Sequence, residues 1–264
     1  MMARVDWSRF DWSSLRRGWL DDIRAAVVFF TILPLAPRAD AAPDEIAQAL
    51  RAWPIIGAGV AAAGAVGYFL AMALGLAPLP SALIALGITI ALTGALHEDG
   101  LADFADGLGG RDAERRLAIM RDSHIGVFGA LAVTLSVAFR AALFAELATP
   151  ARVAAGLIAA AAVSRGLVPL MTLTLAPARE VGLGAMLGER RHEIVAAAAI
   201  LAVVAAFLLL GVGAGVGALA FSSAAIFCVA ALARARLGGY TGDVLGAAQQ
   251  AAEMAGLVAV AIFP

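Results

Sequence analysis

Seven apolar stretches, each at least about 17 residues long, decide what this 264-residue chain can fold into, because that is the shortest helix that crosses a bilayer. They run from Trp53 to Leu76, Pro80 to His97, Ile125 to Ala148, Arg152 to Ala176, Ile194 to Val212, Ala214 to Leu232 and Ala247 to Phe263. Inside lipid every backbone polar group needs a partner within the protein, which leaves helices as the form for runs of this length. Apolar residues make up 62% of the chain and the mean hydropathy is +0.90, well above a soluble domain. The expected fold is an all-α polytopic membrane protein of about seven transmembrane helices.

A further apolar stretch, Ala25 to Ala36, is too short to cross and is expected to form a re-entrant or interfacial N-terminal helix. Positions 1 to 24 carry Trp7, Trp12 and Trp19 among arginines and aspartates, the pattern of an amphipathic segment on the membrane surface. Ala39-Asp40-Ala41 resembles a cleavage site, but the aspartates before it make a poor signal-peptide start, so the segment is expected to be retained. If Ala25 to Ala36 dips in and returns, all 19 arginines except Arg140, Arg152 and Arg165 fall on one side. The positive-inside rule makes that side cytoplasmic, and the expected location is the bacterial inner membrane. Without Ser/Gly linkers, residues 1–264 read as a single domain.

The polar residues gather at the ends of these spans. His97 to Gly110 reads HEDGLADFADGLGG, with Asp99, Asp103 and Asp106 at steps that place three carboxylates within about 60° of one helix face. Like charges so close repel unless a cation neutralises them. Carboxylates without Cys or His ligands suit Mg²⁺, which keeps waters and takes its remaining ligands from substrate phosphates. The lone Cys228 excludes an internal disulfide, and the formal charge of −1 gives no sign of nucleic-acid binding.

Arg115, Arg116 and Arg121 surround a short apolar stripe after this motif, placed to clamp a pyrophosphate or to anchor to lipid headgroups. Asp122 is a candidate further metal or substrate ligand. Gly238-Gly239-Tyr240-Thr241-Gly242-Asp243 opens the last span on the same side, where Thr241 and Asp243 could meet an anion or a metal, or Asp243 could simply cap the helix. Ionisable groups within spans call for a partner or a purpose. Arg165 and Glu253 could line the site, Arg140 is expected to pair with Glu146, and the Arg179-Glu180 loop reads almost as well as solvated surface.

These motifs, together with Phe30-Thr31-Ile32-Leu33-Pro34, Trp53-Pro54-Ile55-Ile56-Gly57, Ile119 to Gly126 and Ser164-Arg165-Gly166, resemble in order the cobalamin 5′-phosphate synthases, or adenosylcobinamide-GDP ribazoletransferases. Glu98 stands where that family usually has an apolar residue, and His124 where it usually has arginine. The resemblance implies transfer of the adenosylcobinamide phosphate moiety from adenosylcobinamide-GDP to α-ribazole or its 5′-phosphate, with release of GMP and a need for Mg²⁺. Homo-oligomerisation, or assembly with other enzymes of the cobalamin pathway, is compatible with it. The implied roles are metal binding by Asp99, Asp103 and Asp106, proton removal by one carboxylate such as Asp106 or Asp103, and substrate contacts from Arg121, Arg165, Asp122, Thr241, Asp243, Arg115 and Arg116. A CDP-alcohol-type lipid-headgroup phosphotransferase shares metal and reaction, but its full motif is absent. A transporter would need polar groups strung through the bilayer midplane rather than gathered at one face.

Overall fold

The computed structural model describes residues 18–35, 45–187 and 191–263. The expected surface segment up to residue 17, the Ala39-Asp40-Ala41 stretch, Arg38 and Arg190 lie outside the described residues.

The described chain is helical, with one isolated bridge between Pro177 and Tyr240. In order come α1 (Trp19–Phe30), α2 (Glu45–Gln48), a 3-10 turn (Ala49–Ala52), α3 (Trp53–Ala73), α4 (Pro78–Thr93), α5 (Leu96–Gly107), α6 (Ala113–Ile119), α7 (Val127–Leu147), α8 (Pro150–Leu167), α9 (Leu170–Thr174), α10 (Leu183–Met186), α11 (His192–Leu237) and α12 (Gly242–Ile262). Proline in the first turn starts α3, α4 and α8, where its missing N–H costs nothing.

Five helical stretches, those containing α3, α7, α8, α11 and α12, are long and apolar enough to cross a membrane, and a bent pair, α4 with α5, makes a sixth. The 46 residues of α11 would span about 69 Å as one helix, far beyond a hydrocarbon core. The chain instead breaks at Gly211 (φ 71, ψ −169) and folds back, so that a Cβ on Gly215 would lie 3.1 Å from the Ala206 carbonyl oxygen. Each arm, 192–210 and 212–237, is long enough to cross by itself, so that the five or six candidate spans become six or seven when the arms are counted separately. Helix α1 is too short to cross at 12 residues, but it is shifted from the expected Ala25 to Ala36: it starts at Trp19, within the expected surface segment, and ends at Phe30.

The second span differs from its expected course. It ends at Thr93 rather than His97, because Gly94 and Ala95 both take left-handed backbone (φ 59 each) and turn α5 by 88° from α4. Left-handed backbone is unfavourable for alanine, and no proline or charge announces the break. The aspartate motif is thereby carried on a separate helix, packed across α7 and α12.

Helix α8 forms the middle of the bundle, with Val153, Leu157, Ala159, Ala160, Ala161, Ala162 and Val163 all buried. Small residues let its neighbours approach: a Cβ on Gly57 of α3 would lie 2.6 Å from the Ala161 carbonyl oxygen, and one on Gly166 would lie 2.7 Å from that of Ala198. Such contacts replace hydrophobic driving force, which is absent between helices in lipid.

Candidate functional site

A cavity of about 330 Å³ opens where α1, α3, α5, α8 and α12 converge. Phe29, Phe30, Trp53, Leu96, Val168 and Leu245 supply an apolar wall, and His97, Asp99, Arg165, Arg179, Asp243 and Gln249 supply polar groups.

Glycine sets the spacing of its acidic wall. A Cβ on Gly100 of α5 would lie 3.0 Å from the Asp243 carbonyl oxygen, and one on Gly246 would lie 3.4 Å from Gly100 Cα. Only bare backbone permits this approach, which brings Asp99 and Asp243 to one cavity. Thr241, not Asp243, caps α12, its hydroxyl accepting the Val244 N–H at 3.3 Å and donating to Asp243 Oδ2 at 3.2 Å. Asp243 is thus left facing Arg179, whose Nη1 lies 3.6 Å from Oδ2.

Arg179 is held there by the loop before α10. Tyr240 donates its N–H to Ala176 O at 3.0 Å, and Ala178 donates to Tyr240 O at 2.8 Å, tying the loop to the start of α12. Arg179 Nη2 also donates to Leu117 O at 3.0 Å. Burial pulls its guanidinium below the usual arginine value; Asp243 and Asp103 oppose this, and Arg121 adds to it. Arg121 itself is exposed and does not line the cavity.

Burial and the negative charges of Asp99, Asp243 and Asp106 all act on the Asp103 carboxyl, and Arg179 opposes them. Neither Asp99 nor Asp103 accepts a side-chain hydrogen bond among the described residues. Asp106 differs, because its two oxygens accept the N–H groups of Gly126 (2.7 Å) and Gly129 (2.9 Å) at the start of α7. The structure thus brings Asp99 and Asp243 to one cavity, leaves Asp103 within reach of their charge, and gives Asp106 a helix to close. Among the described residues no three acidic, His or Cys side chains stand close enough to hold one ion between them as they lie. Mg²⁺ asks for only one or two carboxylates plus phosphate oxygens. An all-oxygen set whose nearby cation is Arg179 fits that chemistry.

Behind the cavity lies a buried polar chain. Arg140 donates to Glu98 at 2.9 Å and to Glu253 at 3.3 Å, and Arg165 donates to Glu253 at 3.1 Å. Arg140 does not pair with Glu146, which is exposed: its side chain turns into the bundle, toward α5 and α12. Gln249 donates to Glu253 (2.6 Å) and Ser164 (3.2 Å), and Gln250 donates to Glu98 (3.1 Å). Two arginines and two glutamates balance, as buried charge requires. Glu98, unusual for the resembled family, has its partner in Arg140.

The remaining sequence-predicted residues lie off the cavity. The Arg115 side chain is exposed, and the residue's backbone N–H donates to Asp112 Oδ1 at 2.8 Å. Arg116 donates to Arg236 O at 3.2 Å, fastening α6 to the end of α11. Asp122 and His124 bond each other at 2.6 Å in the open, and that bond holds Asp122 below the ordinary carboxylate range. Sequence reasoning missed Arg179, His97 and the aromatic wall as site residues. Arg179 stood in a charged loop that solvent explained almost as well, and His97 opened the aspartate motif without drawing separate attention.

The family model described as cobalamin-5-phosphate synthase matches residues 22–261. A Bradyrhizobium diazoefficiens protein named adenosylcobinamide-GDP ribazoletransferase is 43% identical over 94% of this chain and 95% of its own. Proteins of the same name from Mesorhizobium japonicum (41% identical, 93% of this chain and 95% of its own) and Azorhizobium caulinodans (42%, 92% and 96%) are similar. No solved structure matches. With the motifs in order from α1 to α12 and the match running over nearly the whole length, the chain belongs to the cobalamin-5-phosphate synthase family.

Proposed function

We propose that this chain transfers adenosylcobinamide phosphate from adenosylcobinamide-GDP to a hydroxyl of α-ribazole or of its 5′-phosphate, releasing GMP, as its relatives' names describe. The observation that carries this reading is one cavity holding Asp99 and Asp243 beside Arg165 and Arg179, a charge arrangement suited to a pyrophosphate and a divalent cation.

One or two of Asp99, Asp103 and Asp243 would hold Mg²⁺ together with phosphate oxygens, and the ion when bound neutralises charge on the pyrophosphate. Arg165, fixed by Glu253, and Arg179, fixed by Asp243 and Leu117 O, meet phosphate oxygens, and Arg121 adds positive charge at the rim. The acceptor oxygen attacks the phosphorus attached to cobinamide, the bond from that phosphorus to the GMP oxygen breaks, and the hydroxyl proton passes to Asp103. Asp103 suits this role better than Asp106, whose oxygens are already taken by Gly126 and Gly129. The cavity lies at the arginine-rich end of the bundle, so the site faces the cytoplasm from the inner membrane.

Protein in lipid nanodiscs, given adenosylcobinamide-GDP and α-ribazole, should release GMP with Mg²⁺ and stop when the ion is chelated. Asp99→Ala and Asp103→Ala should each lower the rate by at least about a hundredfold. Turnover that persists without a divalent cation, or at full rate in either variant, rejects the reading.

A further inference from the structure

The cavity is divided in its chemistry, and the acidic end accounts for only half of it. At the other end Phe30 and Trp53 meet edge to face with ring centroids 4.8 Å apart, Phe29 stacks on Trp53 at 6.0 Å, and Phe30 lies parallel to the His97 ring at 5.4 Å. This lining suits a flat apolar ring rather than phosphate or ribose.

Its polar groups are nearly all engaged. Gln249 is bonded to Ser164, Glu253 and Gln250, and the Trp53 indole N–H, although unpartnered, exposes no surface to a ligand. His97 is the exception. It lines the cavity, is only 4% exposed, and makes no side-chain hydrogen bond among the described residues, while its ring nitrogens are not sealed. A buried imidazole left without a partner beside a cavity is a hydrogen-bonding group in want of a ligand.

We propose that the aromatic end seats the heteroaromatic base of the acceptor nucleoside, with the His97 imidazole N–H donating to the base nitrogen that bears no sugar. The proposal rests on the function proposed above. The donor's guanine fits this end poorly, because its edge carries several donors and acceptors that would face Phe29, Phe30 and Trp53 unpaired. A benzimidazole has one free acceptor, and the wall provides one free donor. His97 is then a specificity-determining residue, two positions from Asp99, and it fixes the acceptor's base while the acidic end holds the reacting groups.

The test is equilibrium binding to the full chain in nanodiscs, which does not require turnover. The probes are α-ribazole and its indole counterpart, in which a C–H replaces the free ring nitrogen. Wild type should bind α-ribazole about tenfold more tightly than the indole nucleoside, the value of one neutral hydrogen bond. His97→Phe, which keeps a flat ring beside Phe30, should bind both equally and at the weaker level, with the KM for adenosylcobinamide-GDP unchanged. His97→Gln, which restores a donor, should recover part of the preference.

Equal binding of the two probes by wild type overturns the proposal, and so does a preference that survives in His97→Phe. A loss that falls instead on the KM for adenosylcobinamide-GDP would place guanine at the aromatic end and overturns it too. GMP release in the assay above is a separate readout: its absence would reject the proposed reaction, whereas the binding preference stands or falls by itself.

Discussion

The carboxylate of Asp106 closes the N-terminus of α7, taking the Gly126 N–H at 2.7 Å. Gly129 completes the clasp at 2.9 Å. The first N–H groups of a helix have no partner within it, and an acid supplied from another helix both satisfies them and meets the positive end of the dipole. Asp106 thereby pins the far end of α5 to α7, and Asp99 and Asp103 are carried on the same helix.

Asp106→Ala should therefore act on stability before chemistry. Loss of the cap should cost about 1 to 2 kcal/mol of unfolding free energy, read from denaturant unfolding in detergent. Asp99→Ala and Asp103→Ala should leave that midpoint nearly unchanged while stopping GMP release. An Asp106→Ala protein of normal stability with no activity would return Asp106 to the chemistry.

Gly100→Ala tests how closely α5 must approach α12. The new methyl would stand 3.0 Å from the Asp243 carbonyl oxygen and 3.1 Å from its Cα, so backbone must give by a few tenths of an ångström and Asp99 moves relative to Asp243. Misplacement on this scale should lower kcat by about ten- to a hundredfold. Gly213→Ala, in open space, should behave as wild type in the same assay.

Glu253 accepts from Arg140, Arg165 and Gln249. Glu253→Ala would leave two buried guanidinium groups with Glu98 as their remaining acid. Removing one member of a buried ionic set costs about 3 to 5 kcal/mol, so the variant should be recovered at much lower yield and unfold at lower denaturant. Glu146→Ala, at an exposed position, should be neutral in both measurements.

This ionic chain marks the boundary of what sequence discloses. The crossings follow from the length and apolarity of each run, which are local properties. The acidic motif likewise follows from spacing along one helix. Arg140, by contrast, meets Glu98 across 42 positions and Glu253 across 113, and the nearby Glu146 offered a local partner that the tertiary fold does not use. Asp106 shares its helix face with Asp99 and Asp103, and only the arrival of Gly126 and Gly129 separates its role from theirs. The left-handed pair Gly94 and Ala95 turned an expected continuous span into two helices, because Ala95 adopts backbone that its residue type disfavours. Arg179 became a site residue when Tyr240 paired with Ala176 and Ala178, again a contact between distant segments.

The reversal at Gly211 fixes the topology, and it can be tested by labelling. Arg191 and His192 begin the first arm of α11, Arg234 and Arg236 end the second, and Gly211 lies between them at the other end. If the arginine-rich end is cytoplasmic, the turn is outside. With Cys228 replaced by serine, Gly213→Cys, which has open space around it, should react with a membrane-impermeant maleimide on intact spheroplasts. Arg111→Cys, whose parent side chain is 91% exposed, should react only after lysis. A continuous helix through Gly211 would instead put Arg191 and Arg236 on opposite sides, and cysteines at those two positions would then label from different faces. Labelling of Arg111→Cys in intact spheroplasts would invert the whole bundle and place the cavity outside.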